Sequence, residues 1–164
     1  MKIMVIGIGQ KLRGDDAAGL EAVLRWRAKY PTTANNPAVQ VEISELPGLG
    51  LLDLMQGADG AVLIDAVHSS RPPGSLLHLG LEDLSAFDSN AGSAHGWGVA
   101  ETLRLGQSLS PALENCRITL IGIEAGQFEL GQGLSSEVES ALDEAVELIE
   151  KELDVHLRIS GGSK

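Results

Sequence analysis

The sequence predicts a three-layer α/β/α fold with a mostly parallel central sheet. Short, continuously apolar segments, typical of strands buried on both faces, alternate with segments whose apolar residues recur at helical spacing. A length of 164 residues suits a single domain. We place that domain at residues 1–154 and expect residues 155–164 to form a flexible C-terminal tail.

Five apolar segments are the predicted strands of this sheet, and one of them should run against the others. Residues 75–79 follow the preceding strand after a turn that is too short to contain a crossover helix. We therefore expect this strand to be antiparallel to its predecessor. The predicted strands are residues 2–8, 39–44, 61–66, 75–79 and 117–123.

Helices are predicted between the strands and at the end of the chain. The first should begin at Asp15, as its N-cap, and end before Pro31. Another helix should begin near His95. A short helix is expected around residues 51–55. The pair Ser136 and Glu139 has the spacing of a capping box and predicts the start of the final helix.

Composition excludes several classes of function. The net charge of −11 argues against nucleic acid or an anionic membrane surface as the partner. The sequence contains no apolar run near the roughly 20 residues that a membrane helix needs, and Met1 leads directly into a strand rather than a signal peptide. We expect a cytoplasmic protein in which the single cysteine, Cys116, is a small core residue.

Candidate metal ligands lie at the carboxyl ends of the predicted parallel strands. Ligands bind at this end of such sheets, which we call the carboxyl edge. Asp16 follows the first strand and its glycine turn, Asp65 ends the third strand, and His95 begins a later helix. Two carboxylates and one imidazole could hold a divalent ion such as nickel, cobalt or zinc. The alternatives are a solvated helix start at Asp16, a turn cap at Asp65 and a surface histidine.

Three segments in this order and spacing resemble the maturation endopeptidases of [NiFe]-hydrogenases. They are Gly7–Asp16, Leu63–Ala66 and Ser93–His95, and the resemblance extends from Met1 to about Leu153. It implies a five-stranded mixed sheet, of the phosphorylase/hydrolase-like type, with one antiparallel strand between helical layers.

The resemblance also implies a reaction and a partner. Members of this family remove a C-terminal extension from the hydrogenase large-subunit precursor after nickel has been inserted. By motif, the catalytic and metal-contacting residues would be Asp16, Asp65 and His95. The nickel would be carried by the substrate, so we expect no tightly bound cofactor, and nothing in the sequence requires more than a monomer.

The sequence departs from the family pattern at three places. Gln10 replaces the usual asparagine, residues 17–18 are alanines where glycine is frequent, and residues 44–47 differ from a more usual Asp-Gly-Gly-Thr-like stretch. The last difference flanks the expected crevice, so it bears on the substrate more than on the activity.

Two other functions fit parts of the sequence. A non-catalytic nickel-binding or chaperone protein could use the same fold. A nucleotide-binding domain could use the glycine turn, but the adjacent carboxylates of Asp15 and Asp16 would repel phosphate. The usual protease motifs, the zinc helix His-Glu-x-x-His and the nucleophile turn Gly-x-Ser-x-Gly, do not occur in the sequence.

Overall fold

The computed structural model describes residues 1–45, 48–83, 99–109, 113 and 115–161. The strands within these ranges are β1 (Ile3–Ile8), β2 (Val39–Ser44), β3 (Gly60–Val67), β4 (Leu76–Gly80) and β5 (Arg117–Glu124). A 3-10 helix (Gly14–Ala17) precedes the helices α1 (Ala18–Lys29), α2 (Pro31–Ala34), α3 (Gly50–Leu54), α4 (Val99–Leu109) and α5 (Ser136–Gly161).

The five strands of the described residues form one mixed sheet in the order β2-β1-β3-β5-β4. Strand β1 is parallel to β2 and β3, and β3 is parallel to β5. Strand β4 pairs antiparallel with β5 at one edge. The predicted α/β class and the single antiparallel strand are therefore confirmed: β4 runs antiparallel to β3, and the strand with which it pairs is β5.

Two apolar clusters lie on opposite faces of the sheet and hold the helical layers against it. Alternating side chains of β1, β3 and β5 enter one cluster with α1 and α5, and the intervening side chains enter the other with α3 and α4. Trp26 of α1 is fully buried, and its indole Nε1 donates to Glu150 Oε2 of α5 at 2.8 Å. This contact links the two helices of one layer.

The start of α1 differs from the expected one. The chain forms the 3-10 helix first, and its residues Asp15 and Asp16 precede α1, which begins at Ala18. Helix α1 then ends at Lys29 as predicted, and Pro31 begins the short helix α2. Proline suits this first helical position because its missing N–H needs no partner there.

Helix α5 differs from the prediction at both ends. Ser135, not Ser136, caps its start, because the Ser135 hydroxyl accepts from the Val138 amide at 3.4 Å. Glu139 instead binds Arg25 of α1 at 2.7 Å. The helix continues through Gly161, so residues 155–161 are helical where a flexible tail was expected, and residues 162–164 lie outside the described residues.

The buried face of α5 explains why the helix continues so far. His156, in the stretch expected to be a tail, is only 2% exposed, and Leu157 packs against the core. Among the helices that the structure describes, none is both long and apolar enough to cross a membrane.

Candidate active site at the carboxyl edge of the sheet

The glycine turn after β1 folds directly against Asp16. Gly9 has a φ of 149°, and a Cβ atom there would lie 1.9 Å from the backbone oxygen of Asp16, so only glycine fits. The next residue, Gln10, donates its backbone N–H to Asp16 Oδ2 at 3.2 Å. This contact uses the main chain, so it does not depend on the side chain by which Gln10 departs from the family pattern.

A second glycine brings the start of α1 onto the ends of two strands. A Cβ atom on Gly19 would lie 2.3 Å from the backbone oxygen of Ile64 and 2.5 Å from that of Ile8. Ile64 is the residue before Asp65, and Gly19 is three residues after Asp16. The close approach at Gly19 therefore brings the Asp16 turn to the part of β3 that carries Asp65.

Asp65 lies inside β3 rather than at its end, because the strand continues to Val67. It pairs with Gly122 of β5 and is only 1% exposed. By strand alternation its side chain follows those of Ala61 and Leu63 toward the face that α3 and α4 cover. Asp65 therefore lies near the carboxyl end of β3 and not at its last residue, since the strand extends one residue beyond the predicted range 61–66 at each end.

The third predicted ligand, His95, lies outside the described residues. Helix α4 begins at Val99, and Val99 and Leu103 join the apolar cluster on the face that Asp65 shares. Within the described ranges, no three His, Cys, Asp or Glu side chains are grouped to hold a metal ion. The three-ligand site accordingly stays a prediction.

Asp15 was predicted to be the N-cap of α1, but the structure shows that it is not. Its carboxylate, fully buried, accepts from the backbone amides of Gly126 (2.8 Å) and Gln127 (3.0 Å) at Oδ2. It also accepts from the amide of Ser135 at Oδ1 (2.6 Å) and from the Ser135 hydroxyl at Oδ2 (2.9 Å). The donors lie between β5 and α5, more than a hundred positions along the chain, so no local sequence pattern predicts them.

Two further titratable residues, Glu124 and Cys116, have structural roles. Glu124 ends β5 and is 1% exposed, and its carboxylate accepts from the Ser69 amide at 2.6 Å and the Ser69 hydroxyl at 2.7 Å. Glu124 therefore holds the turn at Ser69 against the end of β5. Cys116 is buried, and burial, with a smaller effect of Asp59, raises the pKa of its thiol to about 11. The thiol is therefore protonated at neutral pH and a poor nucleophile.

Comparison with known proteins assigns the chain to a family. The family model for hydrogenase maturation protease matches residues 46–152. The chain belongs to the hydrogenase maturation protease family. The match includes Asp65 and His95, whereas Asp16 and its glycine turn precede it. Membership in this family makes hydrolysis of a peptide bond the relevant chemistry.

Individual members of the hydrogenase maturation protease family resemble the chain over most of its length. The hydrogenase 2 maturation protease of Escherichia coli is 27% identical over 150 residues, which cover 91% of this chain and 88% of that protein. The [NiFe] hydrogenase maturation protease HybD from Thermococcus kodakarensis is 30% identical, with a TM-score of 0.71, over 92% of this chain and 98% of its own.

A second solved structure supports the same fold. The hydrogenase maturating endopeptidase HybD from E. coli superposes with a TM-score of 0.76 and is 26% identical, over 98% of this chain and 94% of its own. The five-stranded mixed sheet of this chain is thus the fold of HybD-like proteases.

Proposed function

We propose that this chain is the endopeptidase that removes the C-terminal extension of a [NiFe]-hydrogenase large-subunit precursor after nickel insertion. The observation that carries the proposal is the placement of Asp16 and Asp65. Both carboxylates are buried, and glycine contacts bring their segments together at the carboxyl edge of a hydrogenase maturation protease.

The donor set fits a divalent cation carried by the substrate. Two buried carboxylates concentrate negative charge in a region of low dielectric, where a divalent cation offsets the unfavourable desolvation. We assign Asp16, Asp65 and His95 to contact the nickel that the precursor already holds. Nickel bound there would act as a Lewis acid toward the scissile peptide.

The proposal leaves two roles for the carboxylates, and they are separable. One role is to bind the substrate's metal, and the other is to accept the proton of the attacking water. Asp16→Asn keeps the size of the side chain and removes its charge. If this variant binds nickel-loaded precursor and leaves it uncut, Asp16 is the proton acceptor. If it no longer binds, Asp16 is a metal ligand.

A site that needs the substrate's own metal is incomplete in the free enzyme, and this accounts for selective cleavage of loaded precursor. No tightly bound cofactor is then required. Because the net charge is −11, we expect no nucleic-acid or membrane partner, and we propose that the protein acts as a monomer in the cytoplasm.

The direct test is incubation with nickel-loaded and nickel-free large-subunit precursor, followed by intact mass. We expect a loss of mass equal to the C-terminal extension in the loaded sample alone. Equal cleavage of both samples would refute nickel recognition but not the protease activity. Binding of the loaded precursor without any cleavage would contradict the proposal and favour a non-catalytic nickel chaperone.

A further inference from the structure

We propose that Asp15 is a positioning residue for this reaction, and that its carboxylate sets the place of Asp16 at the carboxyl edge. The inference rests on the proposed function, because it assumes that Asp16 acts on the substrate. Asp15 is fully buried beside the candidate site, and it does not have the capping role that was expected of it. The inference gives this buried carboxylate a function.

The carboxylate of Asp15 joins two segments that are far apart in the chain. It belongs to the 3-10 helix that carries Asp16, and its donors lie at residues 126–127 and at Ser135. These donors bracket the segment between β5 and α5, and Ser135 also caps α5 through the Val138 amide. One buried side chain therefore fastens the turn to the end of β5 and to the start of α5.

Main-chain contacts hold the same two segments together. The Asp15 amide donates to the backbone oxygen of Gln127 at 2.9 Å, and the Gly14 amide donates to that of Gln132 at 3.2 Å. Gly14 has a φ of 56°, and a Cβ atom there would lie 2.8 Å from the Gln127 oxygen. Because Asp16 follows Asp15 directly in the same 3-10 helix, a shift of Asp15 moves Asp16 with it.

The bonding pattern requires a carboxylate and not an amide. Oδ1 receives the Ser135 amide, and Oδ2 receives two backbone amides and a hydroxyl. An asparagine would supply one oxygen and one NH2 group. With its oxygen at the more crowded position, the NH2 group would face the Ser135 N–H, and two donors would oppose each other.

This conflict should shift Asp16 rather than unfold the protein. Displacing a catalytic group by about 1 Å can lower the rate of reaction about 10²-fold. We expect Asp15→Asn to lower kcat for cleavage of nickel-loaded precursor by about 10- to 100-fold. KM should rise as well if Asp16 is a metal ligand, and it should stay unchanged if Asp16 only accepts the proton. A substitution that affected folding alone would lower the amount of active enzyme near the unfolding temperature. It would not change kcat of the folded fraction.

The matched controls make the same chemical change elsewhere. Asp154→Asn removes a carboxylate of α5 that is exposed and bound to Arg158, and it should leave kcat unchanged. Ser135→Ala removes the hydroxyl that donates to Asp15 and should lower kcat less than Asp15→Asn does. Ser135→Thr retains the hydroxyl and should have the kcat of the wild type. Ser140→Ala, an exposed serine of α5, is the control for the serine change.

Hydrogen exchange tests the positioning without any substrate. The Gln10 amide binds Asp16 Oδ2, so its exchange rate reports where that carboxylate lies. We expect Asp15→Asn and Ser135→Ala to speed exchange at Gln10 and across residues 126–135, and Asp154→Asn to change neither. The Ser135 variant keeps this test decisive if Asp15→Asn does not fold.

The inference is overturned if both variants exchange at Gln10 like the wild type, or if both keep its kcat. It fails separately from the proposed function. If the wild type cuts no precursor, the proposed function is wrong, and the exchange rates at Gln10 still support or refute the placement of Asp16 by Asp15.

Discussion

The two ends of the sheet both bury charged side chains, yet they are built differently. At the carboxyl edge, backbone amides and a serine hydroxyl donate to Asp15, and the Gln10 backbone amide donates to Asp16. The opposite end of the sheet, where the parallel strands begin, is called the amino edge here. At the amino edge, titratable side chains bind one another. Neutral donors thus hold the Asp15 carboxylate in place beside Asp16.

The cluster at the amino edge joins the end of α5 to the sheet. Glu152 Oε1 lies 2.8 Å from His78 Nε2 of β4, and its Oε2 accepts from the Thr119 hydroxyl of β5 at 3.2 Å. That hydroxyl also lies 3.4 Å from His156 Nε2. A Cβ atom on Gly60 would lie 2.4 Å from His156 Nδ1, so the histidine packs closely against the start of β3.

A cavity of about 550 Å³ opens beside this cluster and is lined in part by His78, Arg117 and Glu152. A cavity with titratable groups often indicates a binding site. In open α/β sheets, however, ligands bind outside the carboxyl ends of the strands. Burial and charge alone therefore do not identify the site, and the end of the sheet at which the charged residues lie has to be considered as well.

The largest difference between the two edges should be in catalysis. Asp65→Asn should lower the rate of precursor cleavage by on the order of 10²–10³-fold, the loss typical when one group that stabilises transition-state charge is removed. The measurement is kcat with nickel-loaded precursor. Asp59→Asn, an exposed residue just before the other end of β3, is the matched control and should cleave normally. Normal cleavage by Asp65→Asn would remove the carboxyl edge from the reaction.

The next largest effect should be on stability, at the close approach beneath the candidate site. Gly19→Ala forces a Cβ atom against the backbone oxygens of Ile8 and Ile64, and it should lower the free energy of unfolding by about 3 kcal/mol or more. Urea denaturation measures this. Gly133→Ala, at a glycine with open space around it, should have little effect. Equal stability of the two variants would contradict the packing at Gly19.

At the amino edge, the expected change is structural and smaller. Glu152→Gln replaces the charged partner of His78 and should lower the free energy of unfolding by about 1–3 kcal/mol. The activity of each folded molecule should not change. Glu144→Gln, at an exposed position of α5, is the control. A loss of kcat in Glu152→Gln at unchanged stability would make the two edges functionally alike.

The smallest effect should be the pH dependence of stability at the same edge. Burial, and next the Arg117 cation, lower the pKa of His156 from its ordinary value of 6.5, and Glu152 opposes them. The unfolded chain therefore binds a proton at higher pH than the folded protein, so this group lowers stability as pH falls below about 6.5. Below the folded pKa the loss is complete. Urea midpoints between pH 7.5 and 5 should fall less in His156→Gln than in the wild type, and equal slopes would refute this.

Much of the fold could be predicted because the sequence pattern is local. The apolar runs of β1, β3 and β5 determined their burial, and the short turn before β4 determined its antiparallel direction. Asp16 and Asp65 could be placed at one edge because parallel strands end together. The structure places Asp16 after β1 and Asp65 near the carboxyl end of β3, whereas the roles of these residues and of His95 stay predictions, and His95 lies outside the described residues.

The features that were missed depend on contacts between distant parts of the chain. Asp15 looked like an N-cap, but its donors lie at 126–127 and Ser135. The extent of α5 was underestimated because His156 was assigned to a polar tail, whereas Thr119 and Gly60 surround it in the fold. Helical spacing of Leu153 and Leu157 was the available signal for the longer helix.

We propose that residues at the carboxyl edge perform the reaction and that residues at the amino edge only stabilise the fold. One experiment compares them directly: intact mass of nickel-loaded precursor after incubation with wild type, Asp16→Asn and Glu152→Gln at equal concentrations of folded protein. We predict that wild type and Glu152→Gln shorten the precursor at similar rates and that Asp16→Asn leaves it at full length. Cleavage by Asp16→Asn at the wild-type rate would contradict the claim.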